Sequence, residues 1–380
     1  MAASSKRVVM LTPNFHPHIG GAEKQALELS KALVALGCGV LVLTRGRDEL
    51  PSRETVFGVP VRRLPVLDWT TLLDSISFLL GSFLYLLFTA RSYDAVHVHL
   101  GGSAAVGAAL AGRLLGKSVV VKIGGGRGIG EIAVSSKTLA GRLKLRLLKA
   151  LKPQFICVAR DLFEELSEHG LGSGALVVPN GVDLEHYRPA KPAQKAALRK
   201  ALGWPSGLAL LYVGRLAAEK RLDGFMKSLA AALKSSPADA FFAVAGSGPE
   251  ERLLRAEAAR LNLSGKILFL PPRHDIRELY LAADVFVLPS VSEGLSNALL
   301  EAMACGLAVF ASRVGGTREA VEDGRSGLLF DPQDPEDEAR RLEKLLLNPG
   351  LAAALGKSAR EAAAARYSIV STAERCLKLY

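Results

Sequence analysis

Six short apolar runs rich in valine, at residues 8–12, 40–44, 96–99, 118–122, 155–158 and 175–178, alternate with longer stretches whose apolar residues recur at helical spacing. A strand that reads as a continuous apolar run must be covered on both faces. A helix between successive strands supplies that cover, so the alternation predicts parallel strands joined by helical crossovers. The pattern restarts after Pro189, with strands expected at 209–213, 240–245, 284–288 and 307–311. The expected fold class is therefore α/β, with two doubly wound parallel sheets, and ligands belong beyond the carboxyl ends of the strands and between the domains.

The 380 residues suffice for two such domains. Turn formers concentrate in Val178-Pro-Asn-Gly-Val-Asp183 and continue to Pro189, which places the linker there and the domains at 1–188 and 189–366. Hydrophobic residues make up 49% of the chain and the mean hydropathy is +0.23, which excludes broad disorder. Residues 72–90 come near membrane-spanning length but carry Asp74, Ser75, Ser77, Gly81 and Ser82, and this favours a core helix over an interfacial one. The apolar run at 8–11 is too short for a secretion signal. Cys38, Cys157, Cys305 and Cys376 form no C-x-x-C pair, so a zinc site and a disulfide framework are not expected and a reducing cytoplasm is. The net charge of +11 favours anionic partners; residues 1–190 hold 22 basic against 15 acidic side chains, the remainder 26 against 22.

Four loops carry candidate chemistry. Pro13-Asn-Phe-His-Pro-His-Ile-Gly-Gly-Ala-Glu23 enters a helix at Gly20 and Gly21, where a backbone free of Cβ atoms can approach a phosphate, although a packing turn needs the same glycines. His16 and His18 in that loop lack a third metal ligand, which favours a solvated loop. Arg215 and Lys220 follow the first strand of the second half, as two cations converging on one anion or as a surface ion-pair cluster. Gly246 and Gly248 open the next helix, and neither they nor the glycines at 124–130 complete the dinucleotide fingerprint. In the fourth loop Glu293 precedes a helix on which Glu301 lies among Ala, Leu and Met. A carboxylate there needs hydroxyl donors such as a ribose or hexose offers, while the backbone N–H groups near Leu295 and Ser296 face a phosphate.

Taken in order, the Gly20-Gly21 loop, Pro179-Asn-Gly-Val-Asp183, Gly214-Arg215 with Lys220, the Glu293-x7-Glu301 spacing and Gly315-Gly-Thr-Arg-Glu319 resemble the retaining glycosyltransferases of family 4, over residues 7–367. The resemblance implies the GT-B fold, two Rossmann-like domains facing across a cleft. It implies an acceptor-side first domain and a second domain that binds a nucleoside diphosphate sugar, with residues 367–380 expected as a helix packing back on the first. By resemblance Arg215 and Lys220 bind the diphosphate, Glu301 the ribose and Glu293 the transferred sugar, with Gly21 closing on the phosphates.

One departure bears on the acceptor side. Many members end the strand at 119–123 with a histidine near the reacting centre, where this chain has Gly124. His99, Lys122, Arg127 and Glu131 are the remaining candidates there, with a structural role for His99 equally open. The chain has no D-x-D pair, which fits an enzyme without metal or other cofactor. Residues 137–152 carry six cations and no acid at helical spacing, the pattern of a helix on anionic lipid or of an amphipathic surface helix. The sequence thus reads as a retaining glycosyltransferase of the cytoplasm or the inner membrane face. It is expected to use a nucleoside diphosphate sugar, UDP-linked by preference, and a hydroxyl acceptor, lipid-linked in cell-envelope assembly. Nucleic acid is not an expected partner. A GT-B sugar epimerase, a soluble small-molecule transferase and a silent nucleotide-sugar binder are the rivals.

Overall fold

The structure, a computed structural model, describes residues 6–380 except 19, 48, 68, 237, 238, 272 and 274, and every statement below concerns the described residues. It divides into two compact units, Met1–Gly181 with Ile369–Tyr380, and Val182–Ser368.

The first unit holds an eight-stranded sheet ordered β3-β4-β2-β1-β5-β6-β7-β8. Its strands are β1 (Arg7–Leu11), β2 (Gly39–Arg45), β3 (Arg53–Val56), β4 (Val59–Leu64), β5 (Ala95–His99), β6 (Ser118–Ile123), β7 (Gln154–Cys157) and β8 (Leu176–Val177). The helices between them are α1 (Gly21–Ala35), α2 (Thr71–Phe88), α3 (Ala104–Leu115), α4 (Glu131–Ser136), α5 (Leu139–Leu151) and α6 (Arg160–Glu168). All six expected strands form, within a residue or two at most ends, and pair in parallel. The hairpin β3–β4 is antiparallel and turns through Phe57 and Gly58, both at positive φ. Its two strands are short and half polar, so nothing in apolar content announces them.

In the second unit α7 (Pro192–Ala201) leads to β9 (Leu208–Val213), α8 (Leu222–Ser235), β10 (Ala240–Ala245), α9 (Glu251–Arg260), β11 (Ile267–Leu270), α10 (Arg277–Ala282), β12 (Val285–Leu288), α11 (Asn297–Ala304), β13 (Ala308–Ser312), α12 (Thr317–Ala320), β14 (Gly327–Phe330), α13 (Pro335–Leu347) and α14 (Pro349–Arg366). The sheet is wholly parallel and ordered β11-β10-β9-β12-β13-β14. Its core is built on fully buried Phe225, Phe241, Phe242, Phe286, Phe310 and Phe330. The last helix, α15 (Ile369–Leu377), packs on α1 in the first unit, where Ile369, Ala373, Cys376 and Tyr380 join the core formed by Val8, Met10 and Val120.

Two expectations are corrected. Residues 72–90 form a helix, but not a core helix: α2 buries only Asp74, Phe78, Ser82 and Leu86 and turns Leu72, Leu73, Ile76, Leu80, Leu84 and Phe88 outward. Of the polar interruptions Asp74 and Ser82 face inward, and Asp74 pairs there with Arg45 at 3.0 Å. Of the six cations at 137–152, Lys144 is turned in, its Nζ donating to the Gly101 carbonyl at 2.6 Å. Burial lowers its pKa despite the opposing charge of Glu131.

Candidate active site

β9 lies mid-sheet with β10 on one side and β12 on the other, so the strand order reverses direction there and the carboxyl ends of β9 and β12 form a topological switch point, where open α/β sheets bind ligands. The loops after these strands hold the charged candidates. They are tied by the Val291 N–H, which donates to the Glu219 carbonyl at 2.9 Å. Lys220 donates to Glu293 Oε1 at 2.6 Å, and Ser290 Oγ donates to the same oxygen at 2.6 Å. Ser312, at the end of β13, donates to the Ser290 carbonyl at 2.5 Å and so fixes the strand end that presents this carboxylate. Both partners of the pair are largely buried, with side-chain exposures of 21% and 10%.

Arg215 behaves differently. It is 67% exposed and ion-paired to Glu219 one turn on, while Tyr212 donates to its carbonyl at 2.8 Å. Burial, with the nearby Glu293 charge second, pushes the Tyr212 phenol far above its ordinary range, so it stays a donor.

Glu301 is on α11 and 4% exposed. Ser296 starts this helix by accepting the Leu299 N–H on its hydroxyl at 3.3 Å, and Leu295 is buried beside it. Tyr280 on α10, fully buried, donates to Glu301 Oε2 at 3.0 Å. Burial and then the Glu301 charge raise the Tyr280 pKa well above its normal value. Sequence reasoning missed Tyr280 and Ser312, whose partners lie 21 and 22 residues away, and Ser290, three residues before Glu293 in the same loop. A tyrosine inside the apolar run 279–288 was the available signal.

Gly246 and Gly248 have a packing explanation. A Cβ on Gly246 would lie 1.9 Å from the Gly214 carbonyl oxygen, and one on Gly248 would lie 2.2 Å from that of Leu216. The Leu216 N–H donates to the Ser247 carbonyl at 2.9 Å, and the Glu250 N–H to Leu216 at 3.0 Å. These glycines let the loops after β9 and β10 lie backbone against backbone.

In the first unit Gly21 begins α1 and Gly20 precedes it, where a Cβ would meet the Glu23 carboxylate at 2.2 Å. His16 and His18 are exposed. No group of three His, Cys, Asp or Glu that could hold a metal occurs among the described residues. His99 and Lys122 pair across β5 and β6 and are 1% and 5% exposed. His97 stacks on His99 at 4.7 Å, and its Nδ1 lies 2.6 Å from the Tyr380 hydroxyl. Burial, then Lys122, lowers His97 to about 3, and burial lowers Lys122 to about 8. Glu131 accepts the Gly124 and Gly125 N–H groups at 3.4 and 3.1 Å, shaping the glycine loop. Arg127 is held on the surface by Glu164 and Glu168 at 3.0 and 2.5 Å. The structure thus joins His99 to Lys122 and Glu131 to the loop, while Arg127 belongs to α6.

Two doubly wound α/β units, with paired charges at a sheet switch point, define a protein of GT-B type. Comparison narrows this. The model of Glycosyltransferase Family 4 matches residues 19–186, and that of Glycosyl transferases group 1 matches residues 194–362. The D-inositol 3-phosphate glycosyltransferase of Nocardiopsis dassonvillei is 32% identical over 91% of this chain and 86% of its own length. The protein of that name from Saccharomonospora viridis is 38% identical over 53% of this chain and 49% of its own, so the match spans about half of that relative. The chain belongs to the family 4, group 1 glycosyltransferases. Its fold matches Anabaena Alr3699/HepE in complex with UDP (TM-score 0.79, 21% identity, 98% of both chains) and sucrose-phosphate synthase of Thermosynechococcus elongatus (0.79, 23%, 99% and 98%).

Proposed function

We propose that the chain is a retaining glycosyltransferase that moves a sugar from a nucleoside diphosphate sugar, UDP-linked by preference, to a hydroxyl acceptor. The observation that carries this reading is the Lys220–Glu293 pair at the switch point, within one loop system with Glu301 behind it on α11. As the bond from the sugar C1 to the diphosphate breaks, negative charge builds on the leaving group, and Lys220 with the exposed Arg215 stabilises it without a metal. The acceptor oxygen bonds to C1 and its proton passes to the departing diphosphate. Retention rests on the family resemblance.

On this reading the acceptor is lipid-linked, met at the cytoplasmic face of a membrane in cell-envelope assembly. The relatives named for D-inositol 3-phosphate favour a second reading, a soluble phosphorylated cyclitol acceptor. A melting-temperature screen of nucleotide sugars tests the donor: a ligand at about 100 times its Kd adds about 2.7 kcal/mol of stability. Release of nucleoside diphosphate only on adding an acceptor supports transfer. Release without acceptor, or no stabilisation by any nucleotide sugar, overturns it. The anomeric configuration of the product tests retention.

A further inference from the structure

α2 is apolar on both sides. Its inward face carries Phe78 and Leu86 with Asp74, bonded to Arg45, and Ser82, while Leu73, Ile76, Leu80, Leu84 and Phe88 face out. Just before it Trp69 is 85% exposed. An outer face this apolar is not what water selects, since wetting leucines costs free energy. α2 packs on α3, closely enough that a Cβ on Gly107 would lie 3.1 Å from the Leu79 carbonyl, and α3 packs on α5. α5 continues the pattern: Leu145 and Leu148 point in, and Leu139, Leu143 and Leu147 are exposed beside Arg142 and Arg146.

At the C-terminal ends of α3 and α5 lies a trough of about 800 Å³ lined by Arg113, Lys117, Lys149, Lys152 and Lys378, with no carboxylate among its described lining residues. Lys117 donates to the Tyr93 carbonyl at 2.9 Å. Arg113, Lys149, Lys152 and Lys378 make no ion pair among the described residues.

We propose that the α2–α3–α5 face binds an anionic lipid bilayer, with Trp69 and the outer side of α2 entering the headgroup–acyl boundary and the basic trough holding anionic headgroups. Uncompensated cations bordering exposed leucines select a surface that is both apolar and negative, and an anionic bilayer offers both. This deepens the membrane reading above. Because lipid binding is measured without transfer, its failure leaves the transferase reading standing.

The test is co-sedimentation of the full chain with phosphatidylcholine vesicles, with and without phosphatidylglycerol, at low and high salt, alongside Trp69 emission; Trp204 is 8% exposed and reports the fold. Binding is expected with phosphatidylglycerol at low salt, with a blue shift from Trp69. The double substitution Ile76→Asp, Leu80→Asp, at exposed positions, should abolish the shift and leave nucleotide affinity unchanged. Arg113→Gln, Lys149→Gln and Lys152→Gln should each weaken binding about fivefold. Absence of binding to anionic vesicles, equal binding to neutral ones, or an unaffected α2 variant overturns the proposal. So does a lipid-free dimer that the α2 variant dissolves, which assigns the face to a second copy. Release by inorganic phosphate at constant ionic strength assigns the trough to a small anion and also overturns it.

Discussion

Lys220 and Glu293, 73 residues apart in sequence, share a 2.6 Å hydrogen bond between the loops that follow two neighbouring parallel strands. The cation proposed for the diphosphate and the carboxylate proposed for the sugar are thus partners of each other. On the proposed function an incoming diphosphate would compete with Glu293 for this ammonium, while Ser290, which donates to the same carboxylate oxygen at 2.6 Å, would still hold Glu293.

Lys220→Ala leaves a buried carboxylate with Ser290 as its remaining partner in this pair, a loss on the order of 3 kcal/mol. Melting temperature should fall, and turnover should fall at least about a hundredfold. Adding Glu293→Gln should restore the melting temperature but not turnover. Recovery of both would make the pair purely structural. Arg215→Ala, at an exposed site, should lower turnover with stability changed by less than about 0.5 kcal/mol.

Tyr280→Phe removes the donor that fixes one oxygen of Glu301. If Glu301 holds the ribose, UDP affinity should drop about fivefold to tenfold, about 1 kcal/mol, as expected for a hydrogen bond to a charged acceptor. Affinity for a deoxyribose analogue should change little. Calorimetric titration of both nucleotides in wild type and variant measures the difference, and an equal loss for the two would separate Tyr280 from ribose binding.

Gly248→Ala should unfold the second unit at lower denaturant whether or not nucleotide is present. Its Cβ has no room against the Leu216 carbonyl oxygen. A cost above about 2 kcal/mol is expected, in the range of overpacked sites. Unchanged stability with lost nucleotide affinity would instead return this glycine to the donor site.

Lys122→Met should stabilise the protein at neutral pH. The buried ammonium loses its proton at about 8, below its normal 10.5, and its charge also depresses His97 and His99. Between these values the unfolded chain binds the extra proton, so wild-type stability rises with pH from about 8 to 10.5 and the burial cost is constant below 8. The gain from Lys122→Met is then on the order of 3 kcal/mol below pH 8 and shrinks as pH rises. Thermal melts across that range decide it, and a pH-independent difference would contradict a charged Lys122 in the fold.

The strand runs and the helical spacing between them determined the α/β class and both parallel sheets, because a doubly covered strand must be apolar along its whole length. β3, β4, β11 and β14 escaped, being four to six residues long and either partly polar or too brief to show a period. Glu293 and Glu301 were legible as candidates, since a carboxylate just before or within an apolar helix has few other reasons to be there. What bonds to them was not: Lys220 and Tyr280 reach these carboxylates through the packing of separate elements, 73 and 21 residues away, and Ser290 through the turn of its own loop. The exposed apolar side of α2 was equally hidden. The helix is apolar on both sides, so periodicity does not say which side packs inward, and only tertiary structure buries Phe78 and Leu86 and places Arg45 against Asp74.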